Sequence, residues 1–259
     1  MSAHRVALVR RPSSRLAEGV TTHIEATAVD VARAQAQWQS YVGALDDAGW
    51  AVTEVEPAED CPDSVFVEDT AVLFGPLAVL THPGAAVRRP EVEGTAAVLR
   101  RLGYRTCAIE APGHLDGGDV LKTDGRIYVG RGGRTDAAGV AQLRSVLAAA
   151  GHPVTAVPLT KALHLKSAVT ALPDGTVIGW SPVVDDPAFF PLYRSMPEEP
   201  GAHVVDLGSG RLLVSAAAPA SAELLADVGY EPVLVDISEF EKLEGCVTCL
   251  SIRVRHPAD

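Results

Sequence analysis

The chain is short of the features that announce several large classes of protein. Only four of its 259 residues are cysteine (Cys61, Cys107, Cys246, Cys249), too few for a disulfide scaffold at this length. Free thiols in a reducing, cytoplasmic compartment are therefore expected. Basic residues are outnumbered, 22 Lys and Arg against 33 Asp and Glu, and the resulting charge of −11 argues against nucleic acid or an anionic membrane surface, both of which would repel it. A cationic small molecule is permitted by that balance. Long apolar runs are missing too: the stretch around Ala216 falls far short of the ~20 residues a membrane-spanning helix needs. The amino end, MSAHRVALVRRPSS, alternates polar and apolar residues and so does not read as a signal peptide. No Pro/Gly/Ser-rich linker or charge run divides the sequence, and residues 1–259 are expected to form one domain.

What is present is a 47% hydrophobic composition, enough to bury a sizeable core, arranged in a repeated grammar. An apolar helix-like segment ends at a glycine, a short strand follows, then a polar turn, then two more strand-like runs. The segments "DDAGWAVTEVEP", "RRLGYRTCAIEAP", "AAAGHPVTAVPL" and "ADVGYEPVLVDIS" place Gly49, Gly103, Gly151 and Gly229 where a left-handed cap belongs. A weaker fifth copy, "EPGAHVVDLGSG", centres on Gly201. Val31, Ala34, Trp38, Val42 and Leu45 fall on one helical stripe, as do Val140, Leu143 and Leu147, with Asp30, Asp136 and Ser221 in N-cap positions. Asp124-Gly125 and Asp174-Gly175 mark hairpins. Five strand-rich units with one helix each cannot all bury their faces in one flat sheet. The expected fold is an α/β five-bladed propeller with fivefold pseudosymmetry and its helices outside, against the competing arrangement of an ordinary open α/β sheet.

If the units are equivalent, the first strand of each points to the axis. The segments there are "CPDSVFVEDTAVLF", "GHLDGGDVLKTDG", "ALHLKSAVTALPDG" and "EGCVTCLSIRV". They bring Asp63, Glu68 and Asp69, then Asp116 with Asp119, then His164, then Cys249 to one place. Glu68 and Asp69 interrupt an apolar strand, where adjacent residues point to opposite faces, so at least one acid should face inward. A buried carboxylate needs a cation: a bound guanidinium would serve, and so would an internal Arg or Lys. His164 in an apolar setting reads as a catalytic group or as a satisfied core histidine. Cys249 sits in the β-like run Thr248 to Val254, with Cys246 three residues earlier. That spacing suggests a redox pair or half a zinc site, but a redox pair should open a helix and zinc would want a second ligand pair. Cys246, Cys61 and Cys107 are taken as buried and inert. The remaining histidines, His4 and His256 among them, lack metal-binding spacing, and "LDGGDV" lacks the lysine and spacing of a phosphate loop. No metal site is expected.

Taken together, "DSVFVEDTAV", "LDGGDVL", "YVGRGGRTDAAG", "LHLKSAVTAL" and "EGCVTCLS" resemble the dimethylarginine dimethylaminohydrolases, members of the guanidine-modifying superfamily of five-bladed α/β-propellers. The similarity runs from about Arg5 to Arg255, with the motifs in family order. The resemblance implies Cys249 as nucleophile, His164 as acid and base, and Asp116 as the acid that orients the histidine. It implies Asp63, Glu68 and Asp69 as holders of the substrate's guanidinium and amino end, Arg88 and Arg134 as grips on its carboxylate, and Leu16 and Leu243 as backbone contacts. Leu250 stands where mammalian members carry a second cysteine, and Cys246 is matched to no family position.

The activity so implied is hydrolysis of asymmetric dimethylarginine and monomethylarginine to citrulline and dimethylamine or methylamine, through a covalent Cys249 thiouronium, with no metal or organic cofactor. The partner is then a small-molecule methylated arginine, with no nucleic acid or membrane, and a homodimer is admitted. The rivals are a guanidine hydrolase of the same fold acting on free arginine, a non-catalytic propeller of the ribosome anti-association type, and a thiol redox protein built on Cys246 and Cys249.

Overall fold

A computed structural model of the chain describes residues 5–123, 125–148 and 151–254; Asp124 of the first expected hairpin, His4, Arg255 and His256 lie outside the described residues. In chain order, β1 (Val6–Val9), α1 (Val31–Asp47) and β2 (Ala51–Glu54) come first. Then follow β3 (Ala71–Phe74), β4 (Leu77–Leu80), α2 (Glu91–Arg101) and β5 (Arg105–Ala108), and after them β6 (Val120–Thr123), β7 (Arg126–Arg131), α3 (Ala137–Ala148) and β8 (Val154–Pro158). The one-turn helix α4 (Leu165–Ala168) leads into β9 (Val169–Ala171), β10 (Val177–Gly179) and β11 (Tyr193–Ser195). Last come β12 (Val204–Gly208), β13 (Arg211–Ser215), α5 (Pro219–Asp227), β14 (Glu231–Val235), α6 (Ser238–Glu241) and β15 (Ile252–Val254).

These strands make five three-stranded sheets with one pattern. An inner strand pairs antiparallel with a middle strand, as β3 does with β4 (Val72 opposite Val79), and the middle strand pairs parallel with an outer one, as β4 does with β5. A parallel partner requires a crossover, which the outside helix supplies. The fifth sheet joins the two ends of the chain, for β15 runs antiparallel to β1 with Ala7 opposite Arg253. That pairing closes the ring.

Strand alternation explains why the ring is stable. In β1, Val6 and Leu8 enter one apolar cluster while Ala7 and Val9 enter the next; in β3, Ala71 and Leu73 divide from Val72 and Phe74 in the same way. Each sheet is thus a wedge with both faces buried, and five clusters fill the five seams between neighbours. Each fully buried Leu or Val contributes roughly 1.5–3 kcal/mol relative to exposure. Among the described residues no helix is long and apolar enough to cross a membrane.

The expected helix ends hold: Gly49, Gly103, Gly151 and Gly229 all have φ between +71° and +96°. Asp30 caps α1 by accepting from the Arg33 N–H, and Asp136 accepts from the Gly139 N–H at the start of α3. Three expectations change. The crossover from β10 to β11 holds no α-helix, because prolines 182, 187 and 191 break it into short 3₁₀ turns, and Val184 and Phe190 plug the seam instead. Gly201 therefore caps no helix; it lies in a turn ahead of an inner strand and lets the backbone pass close to Ser221. Ser221 itself is inside α5, whose first free N–H groups, those of Ala220 and Ser221, are taken by the carboxylate of Glu198.

A further difference bears on function. Glu68 and Asp69 occupy a 3₁₀ turn, Val67–Thr70, and not a strand. His164 is the residue ahead of α4, Asp116 is the residue ahead of the turn Gly117–Asp119, and Cys249 lies in a turn before β15. The chemistry sits on the tight turns that deliver the chain into the inner strands.

Candidate active site

His164 is almost wholly enclosed, and both of its ring nitrogens face acids. Nε2 bonds Asp116 Oδ2 at 3.0 Å, and Nδ1 lies 3.8 Å from Asp69 Oδ1. Asp116 is held in turn by the Gly84 N–H at 2.8 Å, while its own N–H donates to Thr135 Oγ1. Burial works against a charged imidazole here, but the negative charges of Asp69, Asp116 and Asp119 outweigh it and push the pKa to about 9. The ring fits only because residue 118 is glycine: a Cβ there would stand 2.8 Å from His164 Nδ1 and 2.6 Å from Asp69 Oδ1. The Gly-Gly pair of "LDGGDV" serves this close approach, and the Gly118 N–H donates to Asp69 at 2.8 Å.

Asp69 is buried, and its desolvation is overcome by His164, Arg88 and the Gly118 N–H, which hold its carboxyl well below the ordinary carboxylate range. Asp63, across the pocket, is raised by burial and accepts the Val20 N–H at 3.2 Å. Arg88 is also buried, and most of its donors are already spent: 2.6 Å to Asp69, 2.8 and 3.0 Å to Glu91, and two bonds to the carbonyls of Asp63 and Phe66. In this arrangement its guanidinium fastens the acids of the site. Arg134, half-buried at the pocket edge and without an ion pair among the described residues, is the cation with donors to offer.

Cys249 is 7% exposed and lines the same pocket as His164, Asp63, Asp69, Arg88, Arg134 and Leu243. Cys246 is not inert filler, contrary to expectation. Its sulfur lies 3.2 Å from that of Cys249 and 3.2 Å from Thr248 Oγ1. Two sulfurs this close do not ionise together: one thiol donates to the other thiolate, which eases loss of the first proton, and the second is held up. The charges of Glu68 and Asp69 further raise Cys249, while His203 lowers Cys246. The turn carrying both cysteines is tied to α1 by Tyr41, whose hydroxyl bonds the Val247 carbonyl at 2.9 Å and Ser251 Oγ at 2.7 Å.

Leu16 is fully buried, its carbonyl accepting the Gly19 N–H at 3.0 Å, and Val20 lines the pocket. Glu68 points to the opposite end of the axial hole, where Lys166 Nζ stands at 2.6 Å and Arg253 Nη2 at 3.2 Å; here the internal cation was the right alternative. Asp69, Asp116 and His164 could offer three ligand atoms within 4.8 Å of one another, but these atoms are already paired among themselves and with Arg88.

Sequence reasoning missed Glu91, Tyr41 and Glu244. Glu91 stands three residues after Arg88 on the start of α2, a spacing that signals a pair. Glu244 has the left-handed φ of +60°, and its carboxylate takes the N–H groups of Thr22 (2.8 Å) and His23 (2.6 Å). It clasps the 19–24 segment over a pocket of only about 20 Å³. An arginine-sized ligand requires that clasp to open.

No protein-family model matches the chain. It is 61% identical over 253 residues to the N(G),N(G)-dimethylarginine dimethylaminohydrolase of Streptomyces coelicolor, covering 98% of each chain. The chain belongs to the dimethylarginine dimethylaminohydrolase family. The family member of Pseudomonas aeruginosa is 33% identical over 95% of this chain and 98% of its own. A crystal structure of a dimethylarginine dimethylaminohydrolase adduct with S-methyl-L-thiocitrulline superposes with a TM-score of 0.90, at 32% identity over 96% of this chain and 98% of that one. A Cys-to-Ser mutant of the P. aeruginosa enzyme has been solved with citrulline, again at a TM-score of 0.90, 32% identity and the same coverage of both chains. The N-terminal domain of a cyanobacterial arginine dihydrolase shares the fold at 19% identity and a TM-score of 0.86, over 98% of this chain and 99% of that one.

Proposed function

We propose that this chain hydrolyses Nω-methylated arginines to citrulline and dimethylamine or methylamine, as one catalytic unit of residues 1–259 working in the cytoplasm. The observation that carries the reading is a single buried pocket walled by a thiol, a histidine and two carboxylates, Asp63 and Asp69. Such a wall suits a planar cation and repels an anion. Dimethylarginine dimethylaminohydrolases provide the precedent, including one solved with citrulline.

A guanidinium is a poor electrophile because its charge is delocalised. The site must therefore hold it planar while a thiolate approaches its central carbon. In this reading Asp63 and Asp69 bind the guanidinium, and Arg134 meets the substrate carboxylate at the pocket edge. The incoming cation offsets the field of Glu68 and Asp69, which favours the thiolate at Cys249. That sulfur adds to the guanidinium carbon, forming a C–S bond. His164, protonated at neutral pH, gives its proton to the methylated nitrogen, and the C–N bond breaks with loss of neutral dimethylamine or methylamine. The covalent thiouronium remains. His164, now neutral, takes a proton from water, and the hydroxide adds to the same carbon. Collapse expels the Cys249 thiolate and leaves the urea group of citrulline. No step needs a metal or organic cofactor.

A colorimetric citrulline assay tests the reading, run with asymmetric dimethylarginine, with free arginine and with EDTA. Turnover of the methylated substrate, undiminished by EDTA, is expected. Turnover of arginine alone would move the chain to the deiminase-type reading, and release of no citrulline to the non-catalytic one. Cys249→Ser is expected to lose at least ~10³-fold in kcat. Substantial residual turnover in that variant refutes the nucleophile.

A further inference from the structure

The contact between Cys246 and Cys249 is unlike that of any other thiol described. Both side chains are buried and their sulfurs are 3.2 Å apart, whereas Cys61 reaches only the Val87 carbonyl, at 3.6 Å. The two residues are bent toward each other by a turn in which the Cys249 N–H donates to the Cys246 carbonyl, at 3.1 Å. Tyr41 anchors that turn through Val247 and Ser251. A disulfide needs the sulfurs to close to ~2.05 Å, a movement of about 1 Å that side-chain rotation supplies. The roles divide by access. Cys249 lines the pocket and meets small solutes, while Cys246 stands behind it, outside the lining.

We infer that Cys246 and Cys249 form a reversible disulfide that switches the enzyme off when a peroxide enters the pocket. The switch rests on the reading of Cys249 as the nucleophile. The Cys249 thiolate attacks one peroxide oxygen, the O–O bond breaks, and hydroxide leaves to become water, giving a sulfenic acid. The Cys246 thiolate then attacks the Cys249 sulfur, the S–O bond breaks, and the departing hydroxide takes up a proton as a second water. The two thiols together lose two electrons and two protons, and the peroxide accepts them. With its sulfur in the S–S bond, Cys249 cannot add to a guanidinium. It is also shielded from further oxidation to sulfinic acid, which thiols do not reverse.

The test uses the purified full chain without substrate, treated with hydrogen peroxide and followed by intact mass and citrulline release. The wild type is expected to lose about 2 Da and at least ~10-fold in turnover, with dithiothreitol restoring both. Cys246→Ser, and Cys246→Ala as a second variant whose folding is checked by melting, are expected to turn over when reduced. After peroxide they should gain about 32 Da and stay inactive in dithiothreitol. A mass gain in the wild type, or equal recovery of wild type and Cys246 variants, overturns the proposal. Loss of 2 Da with full activity also overturns the switch; if Cys249→Ser is then active, the fault lies with the nucleophile assignment. If Cys249→Ser is dead and no disulfide forms, the nucleophile stands and the switch falls.

Discussion

Glu68 and Asp69 are neighbours in one 3₁₀ turn, both buried, yet they serve opposite ends of the axial hole. Asp69 faces the pocket of Cys249, where a buried arginine and a histidine compensate it. Glu68 faces a wider hollow of about 430 Å³, lined by Lys166 and Arg253 and empty of thiol or imidazole. Arg253 in turn bonds the carbonyls of Thr248 and Ser251, so Glu68 braces from behind the turn that carries Cys249. The wider cavity is thus a structural ion cluster and the narrow one holds the reactive groups. Size does not mark the site. What marks it is a set of acids whose cations include a group, His164, that can give its proton away.

The sharpest way to break this contrast is to neutralise each acid in turn. Asp69→Asn removes a charge from the substrate's cation and from His164, and is expected to lower kcat/KM by about 10³-fold. Glu68→Gln should cost about 10-fold or less in kcat/KM while lowering the melting temperature, because it loosens a brace and touches no reacting group. Equal kinetic losses in the two variants would erase the distinction between the ends. Asp116→Asn comes next, at about 10²-fold in kcat, since an amide can keep the Gly84 bond yet turns an N–H toward His164 Nε2 and disfavours the protonated ring.

The same contrast shows how much was legible in advance. The ring could be read because the inner and middle strands are largely buried on both faces and α1, α2, α3 and α5 are each followed by a glycine with positive φ, both of which leave marks on sequence. Cys249, His164 and Asp116 could be placed at the axis because each stands just ahead of an apolar run. The direction of Glu68 could not. In a strand, adjacent acids would divide between two faces of one sheet; in a 3₁₀ turn they divide between two ends of a channel, and only Lys166 and Arg253, 98 and 185 residues away, decide which acid goes where. The Cys246 contact was hidden for a similar reason: "CVTCLSIRV" alternates like a strand, but the strand begins only at Ile252, and the turn before it folds one sulfur onto the other.

The pH dependence of stability sharpens the contrast further. His164, ordinarily near 6.5, titrates at about 9 in the folded chain, so its contribution of roughly 3 kcal/mol is complete below pH 6.5 and is lost as pH rises through 9. Asp69 works in the other direction: its contribution is present above pH 3.8 and is lost on acidification through its depressed value. Urea midpoints measured from pH 6 to 10 should therefore fall across the window in the wild type and in Glu68→Gln, but distinctly less in Asp69→Asn. A profile in Asp69→Asn as steep as the wild type would show that the His164 proton is held by something other than Asp69.

The smallest effect is expected at Asp119, a buried acid one layer behind the histidine. Burial pushes its pKa to about 6, against the pull of His164, and its Oδ1 accepts the Leu165 N–H at 2.9 Å. For a carboxyl raised in the folded state the sign reverses: folding favours the protonated form, so stability falls as pH climbs from 3.8 through 6. Asp119→Asn keeps an acceptor for Leu165 and removes a poorly solvated charge. It should raise stability by roughly 1 kcal/mol at pH 7 to 8, measured as a shift in urea midpoint, and leave it unchanged near pH 4. If the variant is instead less stable at neutral pH, the attraction between Asp119 and protonated His164 exceeds the cost of burying the carboxylate.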